Sequence, residues 1–324
     1  VTVAAATDTD AAGIAGALTA AEGGSDVDVV DLPDEDGLEH DYTVLEPVTS
    51  DVVVVEGRSA TDALSLSRTM RSLESDVMAL GPWTVTGASN VMIAEEEVGF
   101  VAGAVAALST TSGTVGFPGS RQVATSEAAR AGFEAGVAAV DPDVVVEAAY
   151  STPGGFQEMT LTDAGAAADR LLASGVDVLY VNDPSATARA AEAAERTAAD
   201  TGIDRRIIGS RVDWVVEDDI GPMLSTGLPS TVLIAQVVRD HGVLVSHAFQ
   251  ARAEGELDPG TVVLGIEAGA VRLSPAALDS GQLRAIEGLQ TQIAAGSLTV
   301  PRAPSGPLIR PVLPIAEDRL ELVW

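Results

Sequence analysis

The chain has 324 residues, enough for two α/β domains that each bury a core. Forty-eight acidic residues face eighteen basic ones, every one an Arg, for a net charge of −30, and such a surface repels nucleic-acid phosphates and anionic lipid. With no cysteine and three poorly spaced histidines, disulfides, thiol catalysis and a zinc cluster are excluded.

The acid is spread along the chain rather than gathered in one tail, the pattern of a halophilic surface kept hydrated in high salt. Aromatics make up only 3%, so Val, Ala and Leu must build the cores. No stretch approaches the ~18–20 apolar residues of a membrane span. The sequence opens directly in a strand-like run without a basic start or signal peptide, as expected of a cytoplasmic protein or of a mature or trimmed form.

Val1-Thr2-Val3-Ala4-Ala5-Ala6 reads as the first strand. Thr7-Asp8-Thr9-Asp10 then caps a helix over 11–21, which Gly23-Gly24 stops. Residues 27–32 form a second strand, and the acidic stretch 34–41 a solvated loop. The unbroken β-branched run Val52-Val53-Val54-Val55 predicts a strand buried on both faces, followed by a helix from Ala60 to about Leu73 and a strand over 76–80. Strands alternating with helices predict a parallel, doubly wound sheet.

The pattern recurs past Gly113. Strands are expected at 114–118, 144–149, 176–181 and 206–209, and helices at 121–139, 157–174 and 185–200, the last capped by Asn182-Asp183-Pro184-Ser185. Beyond Gly209 an apolar run, 233–238, leads into a helix ending near Ala253. Residues 261–273 read as a hairpin turning at Ala268-Gly269, a last helix covers about 280–295, and five prolines from Pro301 onward predict an extended strap.

The middle of the chain carries further motifs. Asn90-Val91, then Glu96-Glu97-Val98-Gly99-Phe100-Val101-Ala102-Gly103, Val115-Gly116-Phe117 and Gly132-Phe133-Glu134-Ala135-Gly136 follow in that order. Three glutamates favour the positive end of a helix dipole, and Gly99 and Gly103, four apart on one face, allow an unusually close packing partner. The order and spacing resemble the basic membrane protein family of ABC-transporter substrate-binding lipoproteins, best known for nucleoside receptors. Tyr150 to Phe156, Val232 to Arg239, Gly265 to Val271 and Ala294 to Pro301 extend the resemblance over roughly 50–301.

The resemblance implies a type I periplasmic-binding-protein-like fold: α/β, with two doubly wound parallel-sheet lobes joined by crossing segments. The first lobe is expected at 1–112 plus about 236–262, the second at 113–235 plus about 263–300, and the strap at 301–324. Combined with the acidic composition, it implies a halophilic archaeal member.

In open parallel sheets, ligands bind beyond the carboxyl ends of the strands. That rule selects Asp8, Asp10, Arg58 and Trp83 in the first lobe. In the second it selects Ser120, Arg121, Tyr150, Phe156, Asn182, Asp183, Arg211, Asp213 and Trp214. Aromatic faces at such ends offer a planar or sugar-like ligand a rigid platform, and the resemblance places a stacking aromatic at Phe156. Three family features are missing: the aromatic after the first strand, the crossing-segment Lys, replaced by Val238, and the first Asp of a Gly-Val-Asp-x-Asp loop, of which Gly209 to Asp213 keep only the second. Arg58, Arg121 and Arg211 near the cleft suit an anionic ligand as well as a nucleoside-like one.

No Gly-x-Gly-x-x-Gly, phosphate loop or Gly-x-Ser-x-Gly elbow marks an enzyme, and no cofactor or metal is expected. The reading is an extracytoplasmic solute receptor, not an enzyme. It is expected to be monomeric, to deliver a small-molecule ligand to ABC permease subunits, and to be anchored through a lipidated N-terminus absent from this sequence. The alternative is a ligand-sensing or interaction protein that keeps the fold without transport.

Overall fold

The computed structural model describes residues 2–5, 15–16, 28–31, 34–35, 39–40, 42–45, 51–56, 60–70, 73, 75–81, 83–121, 124–152, 161–213, 231–255 and 259–303. Two six-stranded sheets organise them. The first contains β1 (Thr2–Ala5), β2 (Asp28–Asp31), β5 (Val52–Glu56), β6 (Asp76–Leu80), β7 (Ser89–Ile93) and β13 (Gly260–Leu264), in the order β13-β7-β6-β5-β1-β2. All its pairings are parallel. Unbroken apolar runs build it: Val52 to Val55 and Val77 to Leu80 are all buried.

The second sheet contains β8 (Thr114–Arg121), β9 (Val145–Thr152), β10 (Val178–Tyr180), β11 (Arg206–Asp213), β12 (Leu233–Asp240) and β14 (Val271–Pro275), in the order β14-β12-β11-β10-β8-β9. Only β14 runs antiparallel, against β12. The stretch 34–41 is not wholly loop: β3 (Asp34–Glu35) and β4 (Glu39–His40) pair as a short antiparallel ribbon.

The longer described helices are α1 (Ala60–Thr69), α2 (Glu95–Ser109), α3 (Ala124–Val140), α4 (Leu161–Ser174), α5 (Thr187–Thr201), α6 (His241–Ala253) and α7 (Ser280–Ala294). Most of the predicted helix over 11–21 and the strap beyond residue 303 lie outside the described residues. The N-cap of α5 is Ala186, not a residue of the predicted cap 182–185, and a 3-10 turn over Pro184–Ala186 leads into it. α7 starts in a full capping box, Asp279 accepting from Gly281 and Gln282 while Gln282 reaches back to the Asp279 amide.

α2 is buried on almost every side, packed against α3, α7 and the strands of the second sheet. Its contact with α3 is backbone on backbone. A Cβ at Gly99 would overlap the carbonyl oxygen of Ala129, and one at Gly103 that of Phe133. Reciprocally, Gly132 faces the carbonyl of Glu96 and Gly136 that of Phe100. Two glycines spaced four apart on each helix thus let the axes approach more closely than side chains permit, and the exposed Cα hydrogens can meet the facing carbonyls. The glycine-rich motifs that carry the family resemblance are a packing device.

Among the described residues, three connections join the sheets. β7 passes through Ala94 into α2, β12 ends where α6 begins, and β13 leads through a turn at 266–269 into β14. The last connection corrects the expected hairpin. β13 pairs with β7 in the first sheet and β14 with β12 in the second, so the turn joins two lobes rather than two paired strands. The boundaries shift accordingly. Residues 236–240 lie in the second sheet, not the first lobe, and α2 packs on the second-lobe side of the crossing at Ala94.

Candidate functional site

The three connections run side by side, and the first turn of α2 touches each of them or its neighbour. Glu95 forms a bidentate ion pair with Arg239 of β12, with Nε–Oε1 2.8 Å and Nη2–Oε2 2.6 Å. Glu96 pairs with Arg302 at 2.7 Å. Glu97 accepts from the amide of Ile266, in the third connection, at 2.6 Å. Burial pushes the Glu97 carboxyl above its usual range, although the Ile266 amide opposes the shift. Two of the three consecutive acids that read as a dipole feature, Glu95 and Glu97, therefore also tie the crossings together.

Around Glu95 the carboxyl ends of both sheets meet. Glu95 lies two residues beyond β7 of the first sheet, while Arg239 is the next-to-last residue of β12 and Asn182 follows β10 of the second. Arg239 Nη2 donates to Asn182 Oδ1 at 2.6 Å, and the Tyr180 hydroxyl donates to the same oxygen at 2.6 Å. Ser210 Oγ donates to the Tyr180 hydroxyl at 3.4 Å. Tyr180 is fully buried and stacks on Phe133, with ring centroids 5.6 Å apart. Burial pushes its hydroxyl pKa up to about 12, so it stays a donor at any physiological pH. Burial alone would lower the Arg239 pKa, but the Glu95 carboxylate outweighs it and holds the guanidinium charged.

A second polar group lies on the β8–β9 side. The Tyr150 hydroxyl donates to Glu127 in a short hydrogen bond, and Arg130 bridges Glu127 and Glu134 at 2.8 and 2.9 Å. Burial, then Glu127, raises the Tyr150 pKa. Its ring lies where a Cβ of Gly119 would stand. Phe117 contacts both tyrosines, 6.4 Å from the ring of Tyr150 and 5.8 Å from that of Tyr180.

Of the residues predicted from sequence, Asn182 enters the buried network and Asp183 follows it, its carbonyl accepting from the Ala186 amide. Half-buried Arg211 lies in β11, which Asp213 ends. Ser120 and Arg121 end β8 beside β9, where Arg121 pairs with Thr152. Tyr150 is a strand-end residue as predicted, but its hydroxyl is held by Glu127. Trp83 packs against the first-lobe core around Tyr42, Leu45 and Val53. Asp8, Asp10, Arg58, Phe156 and Trp214 lie outside the described residues.

Sequence reasoning did not pick out Glu95, Tyr180, Ser210 and Arg239, which the structure links to Asn182 in one network. A basic residue closing the apolar run 233–238 was the available signal. An open groove of about 580 Å³ lies elsewhere, between α7 and β14, lined by Leu273, Leu283 and Ile286 among others, and it holds none of the residues predicted from sequence. Among the described residues, no helix is long and apolar enough to cross a membrane and no group of acids and histidines could hold a metal.

Two α/β lobes whose strand ends face each other across three connections define a periplasmic-binding-protein-like fold. The chain belongs to the Bmp family of PnrA-like ABC transporter substrate-binding proteins, whose family model matches residues 86–302. No curated protein sequence matches it. Among solved structures, it is similar to a solute-binding protein of an ABC transporter system from Conexibacter woesei, at 18% identity and TM-score 0.65 over 93% of this chain and 98% of that one. It is also similar to a transcriptional activator of the comK gene from Bacillus halodurans, at 16% identity and TM-score 0.67 over 92% and 98%. A third similar structure is an ABC transporter solute-binding protein from Agrobacterium vitis bound to α-D-tagatopyranose, at 12% identity and TM-score 0.60 over 87% and 97%.

Proposed function

We propose that the protein is the extracytoplasmic solute-binding subunit of an ABC importer, taking a small polar molecule, nucleoside-like, sugar-like or anionic, into the cleft between its lobes. The observation that carries this reading is the junction at Glu95, Arg239 and Asn182, where the carboxyl ends of both sheets and two of the three connections converge. Ligand contacts made there are coupled to the segments that must bend for the lobes to close. Ser120, Arg121, Asp183, Arg211 and Asp213 frame the second-lobe side of the cleft, and Asp8, Asp10, Arg58, Phe156 and Trp214 are proposed to complete it. The protein acts as a monomer with membrane permease subunits as partners, held at the membrane by a lipidated segment ahead of Val1. Its acidic surface is a halophilic adaptation, so assays belong in molar salt, where a net charge of −30 is screened.

A thermal-shift screen in molar KCl against nucleosides, bases, sugars and carboxylates should find a stabilising ligand. X-ray scattering should then show a smaller radius of gyration in its presence, with unchanged circular dichroism. Identical scattering curves would overturn closure. The similarity to the comK activator favours a second reading, a ligand sensor without transport. The gene upstream of Val1 separates the two: a signal peptide ending in a lipid-accepting Cys supports the receptor, and an in-frame start Met directly before Val1 supports the sensor.

A further inference from the structure

Asn182 is held by one half of its side chain only. Its Oδ1 accepts two hydrogen bonds, from the fully buried Tyr180 hydroxyl and from the buried Arg239 guanidinium, both at 2.6 Å. Two donors on one atom fix which end of the amide is oxygen, because an Nδ2 in that place would face two donors with nothing to accept them. The planar amide therefore turns its Nδ2 away from the buried cluster. Among the described residues nothing accepts from Nδ2, and it is not sealed from solvent. Asn182 is half-buried at the carboxyl end of β10, at the mouth where the two sheets meet.

The charged groups bonded to or next to Asn182 carry no net positive charge. The Arg239 guanidinium is neutralised by the bidentate Glu95 carboxylate, and the residue after Asn182 is itself an acid, Asp183. The site thus offers an oriented neutral donor rather than a net positive charge. That favours an uncharged acceptor oxygen over a carboxylate, which would need a compensating cation to leave water.

We propose that Asn182 is a specificity-determining donor of the cleft, its Oδ1 clamped by Tyr180 and Arg239 so that its Nδ2 meets an acceptor oxygen of an uncharged solute, either a sugar hydroxyl or a nucleobase carbonyl. This rests on the solute-binding reading above and narrows it. Tyr180 and Arg239 are positioning residues, because they act on the solute through Asn182.

The chain contains only two asparagines, so selective Asn labelling with ¹⁵N gives two side-chain amide signals. Asn90 is the internal control. Its Nδ2 donates to Val85, Ala88 and Gly260 carbonyls at 2.9–3.1 Å, and its Oδ1 accepts from the Val85 amide at 2.6 Å. In the ligand-free full chain, the Asn182 amide protons should exchange rapidly with water while those of Asn90 are protected. Protection of both pairs would overturn the proposal without any ligand being known.

Uridine, D-ribose, uracil and succinate are then added in turn. Binding of ribose or uracil should shift the Asn182 signal and slow its exchange while leaving Asn90 unmoved, and which of the two does so separates a sugar hydroxyl from a base carbonyl. Asn182→Asp should weaken the bound probe about tenfold or more, since the donor becomes a charged acceptor. Tyr180→Phe should shift the Asn182 signal and weaken the same probe several-fold while the Asn90 signal confirms an intact fold. Full affinity in Asn182→Asp, or a preference for succinate, would overturn the proposal and leave solute binding standing. If none of the four binds the wild type, it is the ligand class assigned to the cleft that fails, and the ligand-free exchange still decides whether Asn182 is an open donor.

Discussion

Strand β10 carries a polar side chain just beyond each end, and the two have opposite fates. At the amino end, Asp177 is closed off. Its carboxylate accepts from Thr110 Oγ1, the Thr111 amide, Thr111 Oγ1 and the Ser112 amide, at 2.6, 2.6, 2.8 and 2.8 Å. Burial alone would raise its pKa, but these donors outweigh it and hold the carboxyl below the usual carboxylate range. At the carboxyl end, Asn182 has its oxygen engaged and its nitrogen open. Asp177 pins the turn that leads from α2 into β8 and serves stability. An amide half engaged and half open is the group proposed above for recognition. In a parallel sheet this polarity is general, because the carboxyl ends, where helix N-termini and long loops gather, are where ligands enter.

Substitutions at three places sharpen that contrast, in falling order of expected effect on stability. Removing one partner of the buried Glu95–Arg239 pair, by Arg239→Met or Glu95→Ala, should cost about 3–5 kcal/mol, because the other charge is left buried and alone. The double variant should recover much of that loss, and a double-mutant cycle of denaturant midpoints measures the coupling. Additive losses would show that the pair does not act as a unit.

Asp177→Asn should cost less, about 1–3 kcal/mol, by replacing a charged acceptor with an amide that presents donors to donors. Its pH dependence has a definite sign. A carboxyl whose folded pKa is depressed contributes stability above its unfolded value, about 3.9, and that contribution is lost as pH falls through the lower folded value. The difference in melting temperature between wild type and Asp177→Asn should therefore be largest near neutrality and shrink below about pH 4. A difference constant down to pH 3 would mean that the carboxylate charge plays no part in the turn.

Asn182→Ala should be the mildest for folding, about 1 kcal/mol, because Arg239 keeps both of its Glu95 hydrogen bonds and only the Tyr180 hydroxyl loses its acceptor. A melting temperature depressed as far as that of Asp177→Asn would make Asn182 a structural residue like its counterpart and erase the contrast between the two ends.

The alternation of apolar runs and helices gave the two-lobed parallel α/β plan directly, because strands buried on both faces must be continuously apolar, as Val52 to Val55 are. The glycine spacing at 99/103 announced a close packing partner, since a missing Cβ is useful only where a backbone must approach, but that the partner is α3, with Gly132 and Gly136 facing it, was decided by the tertiary structure. The strand-end rule likewise reached Asn182. Local sequence could not decide long-range partners. The run 261–273 has the form of a hairpin, and only the pairing of β13 with β7 and of β14 with β12 made it an interlobe connection. Nor could it join Glu95 to Arg239, 144 residues away, or Arg239 to Asn182, 57 residues away. Propensity and periodicity act over a few residues, whereas a buried ion pair and a clamped amide exist only once three strands and a helix N-terminus have been packed into one place.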